Sequence, residues 1–323
     1  MERVLITGAD GFVASHLVAE LCASGCSEVH GVGLKDTPLA AEDPRFIYRV
    51  ADLNDLDLLR SVLDTAKPDA VFHLAAQPSV AHSWKDPWTT YKVNILLQLN
   101  LMEAAREAGI EASFHIACSS EEYGKVAPDE VPLRVDSPLR PCSHYAVSKV
   151  TQEMLGLMYF EAYGWRVFAT RGFNQAGPGQ SPDFAIPSFA RQIALIEVGE
   201  HEPVLKVGNL EAQRDFTDVR DTVRAYRLLM ERGTAGRSYN VCSGVARKMS
   251  EVLDELLSLS SEKIEVEIDP ERQRPSDIPI VTGDPSPLEA ETGWRPEIPF
   301  SKTLSDTLDF FRSSVAGETG AGR

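Results

Sequence analysis

The sequence predicts an α/β fold, a Rossmann doubly wound parallel sheet with a smaller C-terminal α/β substrate lobe. Three observations carry that expectation. Short apolar runs alternate with amphipathic stretches through the first half of the chain. A glycine-spaced turn, Thr7-Gly8-Ala9-Asp10-Gly11, joins the first apolar run to the first amphipathic one. The 323 residues exceed one small core and suggest about two domains.

The elements follow in order. Residues 3–7 form the first strand, and Phe12 to Ser24 is helical up to Gly25. Residues 28–34 and 46–50 are the second and third strands. A helix over 55–65 precedes a fourth strand at 70–74. A long helix spans Pro87 to Ala108 and ends at Gly109. The fifth strand covers 112–118, a helix runs from His144 to Tyr163, and the sixth strand covers 165–170. From Gly177 prolines punctuate the chain, which predicts a loop-rich lobe with helices at 188–198 and 221–232 and a frayed end from Gly317. The expected domains are 1–172, binding a dinucleotide, and 173–323, with some segments free to return to the first.

Composition excludes several classes. Apolar residues make up 43% and charged residues 25%, an ordinary globular balance. The net charge of −16 disfavours nucleic acid and anionic membrane as partners. No leader or membrane span is read. The five cysteines, Cys22, Cys26, Cys118, Cys142 and Cys242, are scattered, so reduced thiols in a cytoplasmic protein are expected and no metal site.

Gly8 permits a tight turn, and Gly11 lets the main chain approach a pyrophosphate at the start of a helix. The third position of that fingerprint is Ala14, so the turn predicts a dinucleotide cofactor. An acid at the end of the second strand would hold the 2′-hydroxyl of NAD. Gly33 stands there instead, followed by Leu34 and Lys35, which leaves room and charge for a 2′-phosphate. NADP(H) is therefore favoured, and Asp36 keeps NAD(H) open. Asp52 either meets the adenine edge or caps the helix that follows.

Tyr145-Ala-Val-Ser-Lys149 sets a phenol and an ammonium four residues apart, on one helix face. The positive charge is expected to lower the phenol pKa, and the phenol to exchange a proton with a sugar hydroxyl during hydride transfer. Ser119, Ser120 and Glu121 follow the fifth strand, at the sheet edge where such folds bind ligands. A hydroxyl there can bond a reacting carbonyl, and a carboxylate can take a proton beside a ketone.

These residues, with His73-Leu74-Ala75-Ala76, Arg171-Gly-Phe-Asn174, Gly177-Pro-Gly-Gln180 and Arg214-Asp-Phe-Thr-Asp218, resemble the extended short-chain dehydrogenase/reductase family. The match covers nearly the whole chain and is most specific from Phe189 to Asp221. The branch it resembles acts on GDP-linked deoxyhexoses. The resemblance implies a catalytic set of Ser119, Tyr145 and Lys149, with Glu121 as an acid beside it. It implies cofactor contacts from Gly8, Gly11, Phe12, Val13, Lys35, Asp52, Leu53, His73, Leu74, Ala75 and Ala76, with Asn94 on the long helix beneath. Ser120, Asn174, Arg191, Arg214 and Arg274 would bind substrate, the arginines matching phosphate oxygens with their planar forks.

The implied activity is reduction at C4 of GDP-4-keto-6-deoxy-D-mannose, giving GDP-6-deoxy-D-mannose (GDP-D-rhamnose). The alternatives are 4,6-dehydration of GDP-mannose, another nucleotide-sugar dehydratase or epimerase, and a non-catalytic sensor. A homodimer joined through a four-helix bundle of helices 87–108 and 144–163 is also implied. The chain departs from the family pattern at Ser143-His144, where Asn-Pro is usual, at Gly172, and at Gln175. A capping role is expected for His144, with a second acid/base as the alternative.

Overall fold

The computed structural model describes residues 1–40, 43–272 and 278–320. Its strands are β1 (Arg3–Thr7), β2 (Glu28–Gly33), β3 (Phe46–Val50), β4 (Ala70–His73), β5 (Ser113–Ser119), β6 (Arg166–Gly172), β7 (Asn174–Ala176), β8 (Val204–Val207), β9 (Gln213–Asp218), β10 (Arg237–Val241), β11 (Ala246–Lys248), β12 (Glu265–Ile268) and β13 (Ile280–Val281). Its α-helices are α1 (Phe12–Ala23), α2 (Leu56–Ala66), α3 (Val80–Lys85), α4 (Pro87–Tyr91), α5 (Leu97–Glu107), α6 (His144–Tyr163), α7 (Ala185–Glu197), α8 (Val219–Arg232), α9 (Met249–Ser258), α10 (Ser286–Thr292) and α11 (Phe300–Gly320).

Seven strands form one parallel sheet in the order β10-β6-β5-β4-β1-β2-β3. Strands covered on both faces need apolar side chains in both directions, which is why β1 and β4 read as unbroken apolar runs. On one face Leu17, Val18 and Leu21 of α1 pack with Val223 and Leu229 of α8. On the other, Leu59 and Leu63 of α2, Leu101 of α5 and Tyr159 of α6 cover Val71, Phe114 and Val167. The strand order reverses at β1 and β4, and this switch point opens a crevice at the carboxyl edge.

The second lobe has its own core. Leu304, Leu308, Phe311 and Val315 line one stripe of α11 and meet Phe189 and Ile193 of α7. β9 pairs with β7, β11 and β13, while β12 pairs with β8. The chain leaves the first unit after β6, and α8 and β10 return to it.

Several expectations need correction. The long helix over 87–108 is not regular. A single π turn at Lys92–Leu96 separates α4 from α5. α11 continues through Gly317 to Gly320, and residues 321–323 of the expected frayed end lie outside the described residues. The second lobe is less loop-rich than the prolines suggested, since its strands are too short to show a period and Pro187 sits in the first turn of α7, where no N–H is needed. All five cysteines are free thiols, and Cys142 alone among them is exposed. No helix among the described residues is long and apolar enough to cross a membrane.

Candidate active site

The glycine turn forms a cradle at the crevice. Gly8 has φ +68°, and a Cβ there would lie 2.8 Å from the Ala75 main chain. Its N–H-accepting carbonyl holds Gly11 at 3.0 Å. Gly11 begins α1 with no side-chain cap, so the first N–H groups of a 12-residue helix remain for an anion. Phe12 and Val13 form that first turn, and Leu74, Ala75 and Ala76 line the opposite wall, half-buried. These features fit a dinucleotide pyrophosphate.

At the far end of β2 the structure adds an acid that sequence reading missed. Asp10 reaches from the turn and accepts the Lys35 N–H at 3.2 Å. A Cβ on Gly33 would lie 2.4 Å from the Asp10 carboxylate, which is why glycine stands there. The Lys35 side chain is exposed. Asp52 is exposed as well and bonds Asn54 (2.9 Å), while Asp55 caps α2, so the capping alternative for Asp52 is wrong. Leu53 is buried in the core beside it.

His73 is the last residue of β4. It is buried, and its Nδ1 meets Thr7 Oγ1 at 2.8 Å. Burial pushes its pKa down to about 3, so it stays neutral. Asn94 lies in the π turn and is fully buried. Its Oδ1 accepts the Gln77 N–H (2.7 Å), and its Nδ2 donates to Ser148 Oγ (2.8 Å). One side chain thus ties the loop after β4 to helix α6. The widened turn makes this reach possible.

Tyr145 and Lys149 share one face of α6 and are 9% and 4% exposed. Lys149 donates to the Ala117 carbonyl at 2.9 Å, and its Nζ is 5.8 Å from the Tyr145 ring centroid. The expected lowering of the phenol pKa is not found. Burial raises it, the Ser119 side chain opposes the rise, and Glu121 adds to it. Desolvation of the phenolate is the largest influence on it. Burial likewise lowers the Lys149 pKa.

Ser119 ends β5 and its hydroxyl accepts the Glu121 N–H at 3.2 Å. The 3₁₀ turn Ser120–Tyr123 then sends two adjacent acids in opposite directions. Glu121 is exposed and Glu122 is fully buried. Glu122 accepts the Ser119 N–H (3.1 Å) and lies 3.4 Å from the Arg171 guanidinium. Arg171 grips Glu153 with two nitrogens at 2.6 and 2.8 Å. Burial, with Glu153 adding to it, pushes Glu122 up to about 9, so it is a neutral acid at pH 7. Cys118, Glu122 and Glu153 approach within 4.8 Å of one another, but Arg171 already supplies the cation there. This network was not foreseen, because neighbouring glutamates look alike in a sequence.

The departures from the family pattern have local explanations. Ser143, not His144, caps α6 by accepting the Ala146 N–H at 3.0 Å. His144 instead packs edge-on to Trp84 and meets the Tyr91 hydroxyl at 3.0 Å. Gln175 donates to the Tyr226 hydroxyl at 3.2 Å, and a Cβ on Gly172 would touch its amide.

A second concavity of about 500 Å³ runs along α7 in the second lobe. Arg191, Lys206 and Arg272 supply its positive charge, and Ser188 bonds Arg272 at 3.0 Å. Arg191 also meets Glu318 at 3.3 Å. Arg272 and Lys206 were missed by sequence reading. Arg214 lies outside this lining and donates to the carbonyls of Gln213 and Ile278. Asn174 is exposed on β7, Ser120 is half-buried, and Arg274 lies outside the described residues.

The family model described as GDP-mannose 4,6 dehydratase matches residues 5–307. The chain belongs to this family, within the extended short-chain dehydrogenases/reductases. GDP-6-deoxy-D-mannose reductase of Pseudomonas aeruginosa is 37% identical, over 98% of this chain and 99% of the relative. A GDP-mannose 4,6-dehydratase of Vibrio cholerae is 31% identical, over 95% of this chain and 93% of its own length. The structure of RMD from Pseudomonas aeruginosa complexed with NADPH superposes with a TM-score of 0.86 at 35% identity, covering 97% of this chain and 100% of that one. Family members thus include both a reductase and dehydratases.

Proposed function

We propose that this chain reduces GDP-4-keto-6-deoxy-D-mannose at C4 to GDP-6-deoxy-D-mannose, using NADPH. The observation that carries the proposal is the convergence of Ser119, Tyr145 and Lys149 at the end of β5, on the same sheet edge as the Gly8/Gly11 cradle, in a chain alike over its full length to a GDP-6-deoxy-D-mannose reductase. When bound, NADPH supplies the hydride. Gly8, Gly11 and the first turn of α1 hold its pyrophosphate, and the exposed Lys35 ammonium suits a 2′-phosphate, with NADH as the weaker substitute.

Ser119 bonds the ketone oxygen and polarises it. Tyr145 passes its proton to that oxygen as the alcohol forms. A phenol held neutral by burial is suited to donate, and Lys149, one turn along the same face of α6, would anchor the nicotinamide ribose. Arg191 and Arg272, which line the cleft, bind the GDP diphosphate with Asn174 as a further contact, and Ser120, next to Ser119, meets the sugar. Residues 1–172 bind the cofactor, joined by α8 and β10, and 173–323 mainly bind the nucleotide sugar.

One observation favours a second reading. Glu121 stands exposed next to Ser119 and acts on the Tyr145 hydroxyl, where a dehydratase needs a base for the C5 proton. Incubation with NADPH and GDP-4-keto-6-deoxymannose, with GDP-mannose as control, separates the two. The reductase consumes NADPH with the ketone and leaves GDP-mannose intact, and loss of water from GDP-mannose would replace it with the dehydratase.

The chain is proposed to be a cytoplasmic homodimer. Free thiols suit a reducing compartment. Leu96, Val147, Met154 and Met158 are exposed apolar residues of the π turn and α6, and would form the four-helix bundle with their copies. Light scattering should give twice the chain mass, falling to a monomer in Met154→Glu/Met158→Glu; a wild-type monomer would contradict it.

A further inference from the structure

The concavity along α7 carries more than positive charge. Ser188, Gln192 and Leu195 line it on successive turns, so it extends about 10 Å along the helix axis. Arg272 sits by Ser188 at one end. At the other end lie Leu195, His201, Glu202 and Val204, from the end of α7 and the start of β8. Between them the Gln192 amide is pinned by the Lys206 main chain, accepting its N–H at 2.9 Å and donating to its carbonyl at 3.2 Å. A nucleoside diphosphate fits this polarity, with phosphates by Arg272 and Arg191 and the base by Leu195 and Val204.

Glu202 is the odd member of this lining. It is an acid in a site whose other charged residues are Arg191, Lys206 and Arg272. Its side chain is exposed, and no described residue bonds its carboxylate. An acid weakens the hold on a diphosphate unless it serves another part of the ligand. A carboxylate accepts two parallel N–H bonds, and among common bases the N1–H and 2-amino group of guanine present that pair. Uracil offers one N–H between two carbonyls, which a carboxylate repels.

We propose that Glu202 selects the guanine base, accepting N1–H and the 2-amino group at the end of the cleft away from Arg272. This rests on the reading of the cleft as the nucleotide site.

The test is calorimetric titration of the full chain with GDP, IDP and UDP. IDP lacks only the 2-amino group. The wild type is expected to bind GDP roughly tenfold tighter than IDP. In Glu202→Ala that ratio should fall to about two or less, with UDP affinity unchanged or slightly improved. Glu202→Gln, which keeps one acceptor oxygen, should lie between. Arg272→Ala should weaken GDP and IDP alike and preserve their ratio. Equal wild-type affinity for GDP and IDP, or a GDP preference that survives Glu202→Ala, would overturn the proposal. A wild type preferring UDP would also overturn it while leaving a nucleotide-sugar enzyme standing. Absence of NADPH turnover with a normal GDP preference would instead sink the reductase reading alone.

Discussion

At the carboxyl edge of the seven-stranded sheet, Thr7, His73, Asn94, Ser148, Glu153 and Arg171 are buried and bonded to one another in pairs. Along α7, by contrast, Arg191, Lys206 and Arg272 keep their charged ends near solvent. The first region is organised before any ligand arrives, as acid–base chemistry requires, because a misplaced proton donor costs rate steeply. The second attracts an anion to a chain of net charge −16 and needs accessible charge more than fixed geometry. Substitutions in the two regions should therefore fail differently, the first in kcat or stability and the second in KM.

The largest effect is expected at Tyr145. Tyr145→Phe removes the proton donor and should lower kcat about 10²- to 10⁴-fold with little change in KM, measured by NADPH absorbance. Unchanged turnover would remove Tyr145 from the chemistry. Next is Arg272→Ala, which should raise KM about tenfold at nearly constant kcat. A fall in kcat with constant KM would mean that the cleft takes part in organising the reaction.

The smallest effect concerns Glu122. Its pKa rises from 4.5 to about 9 on folding, so the folded chain holds a proton that the unfolded chain releases. The stability this contributes is complete below about pH 4.5 and is lost as pH rises toward about 9. Glu122→Gln keeps a neutral side chain at every pH. Thermal denaturation midpoints of wild type should therefore fall relative to Glu122→Gln between pH 6 and pH 9. Parallel curves would show that Glu122 is ionised throughout.

The same contrast explains what the sequence could reveal. The Gly8/Gly11 turn and the Tyr145/Lys149 pair depend on local spacing, on a strand-to-helix turn and on helix periodicity, so they were legible. The parallel sheet was legible because strands buried on two faces are continuous apolar runs. The cationic cleft was not, because Arg191, Lys206 and Arg272 meet only after the lobe folds, and Arg272 bonds Ser188 across 84 residues. Arg214, also an arginine in a family motif, turned to main-chain carbonyls instead. Asn94 was placed on its helix, but the π turn that lets it bridge Gln77 and Ser148 left no mark in the apolar pattern. Glu121 and Glu122 differ only by a 3₁₀ turn, and nothing in their type says which one enters the core. The lowered phenol pKa expected from Lys149 failed because charge proximity was weighed without burial.

Reduction at C4 is tested most directly by following the hydride. NADPH deuterated at the transferable position of the nicotinamide should be incubated with GDP-4-keto-6-deoxy-D-mannose and the product examined by NMR and mass. One deuterium at C4 of GDP-6-deoxy-D-mannose for each NADPH consumed is the expected result. Product without deuterium, or water loss from GDP-mannose with no net use of cofactor, would contradict it.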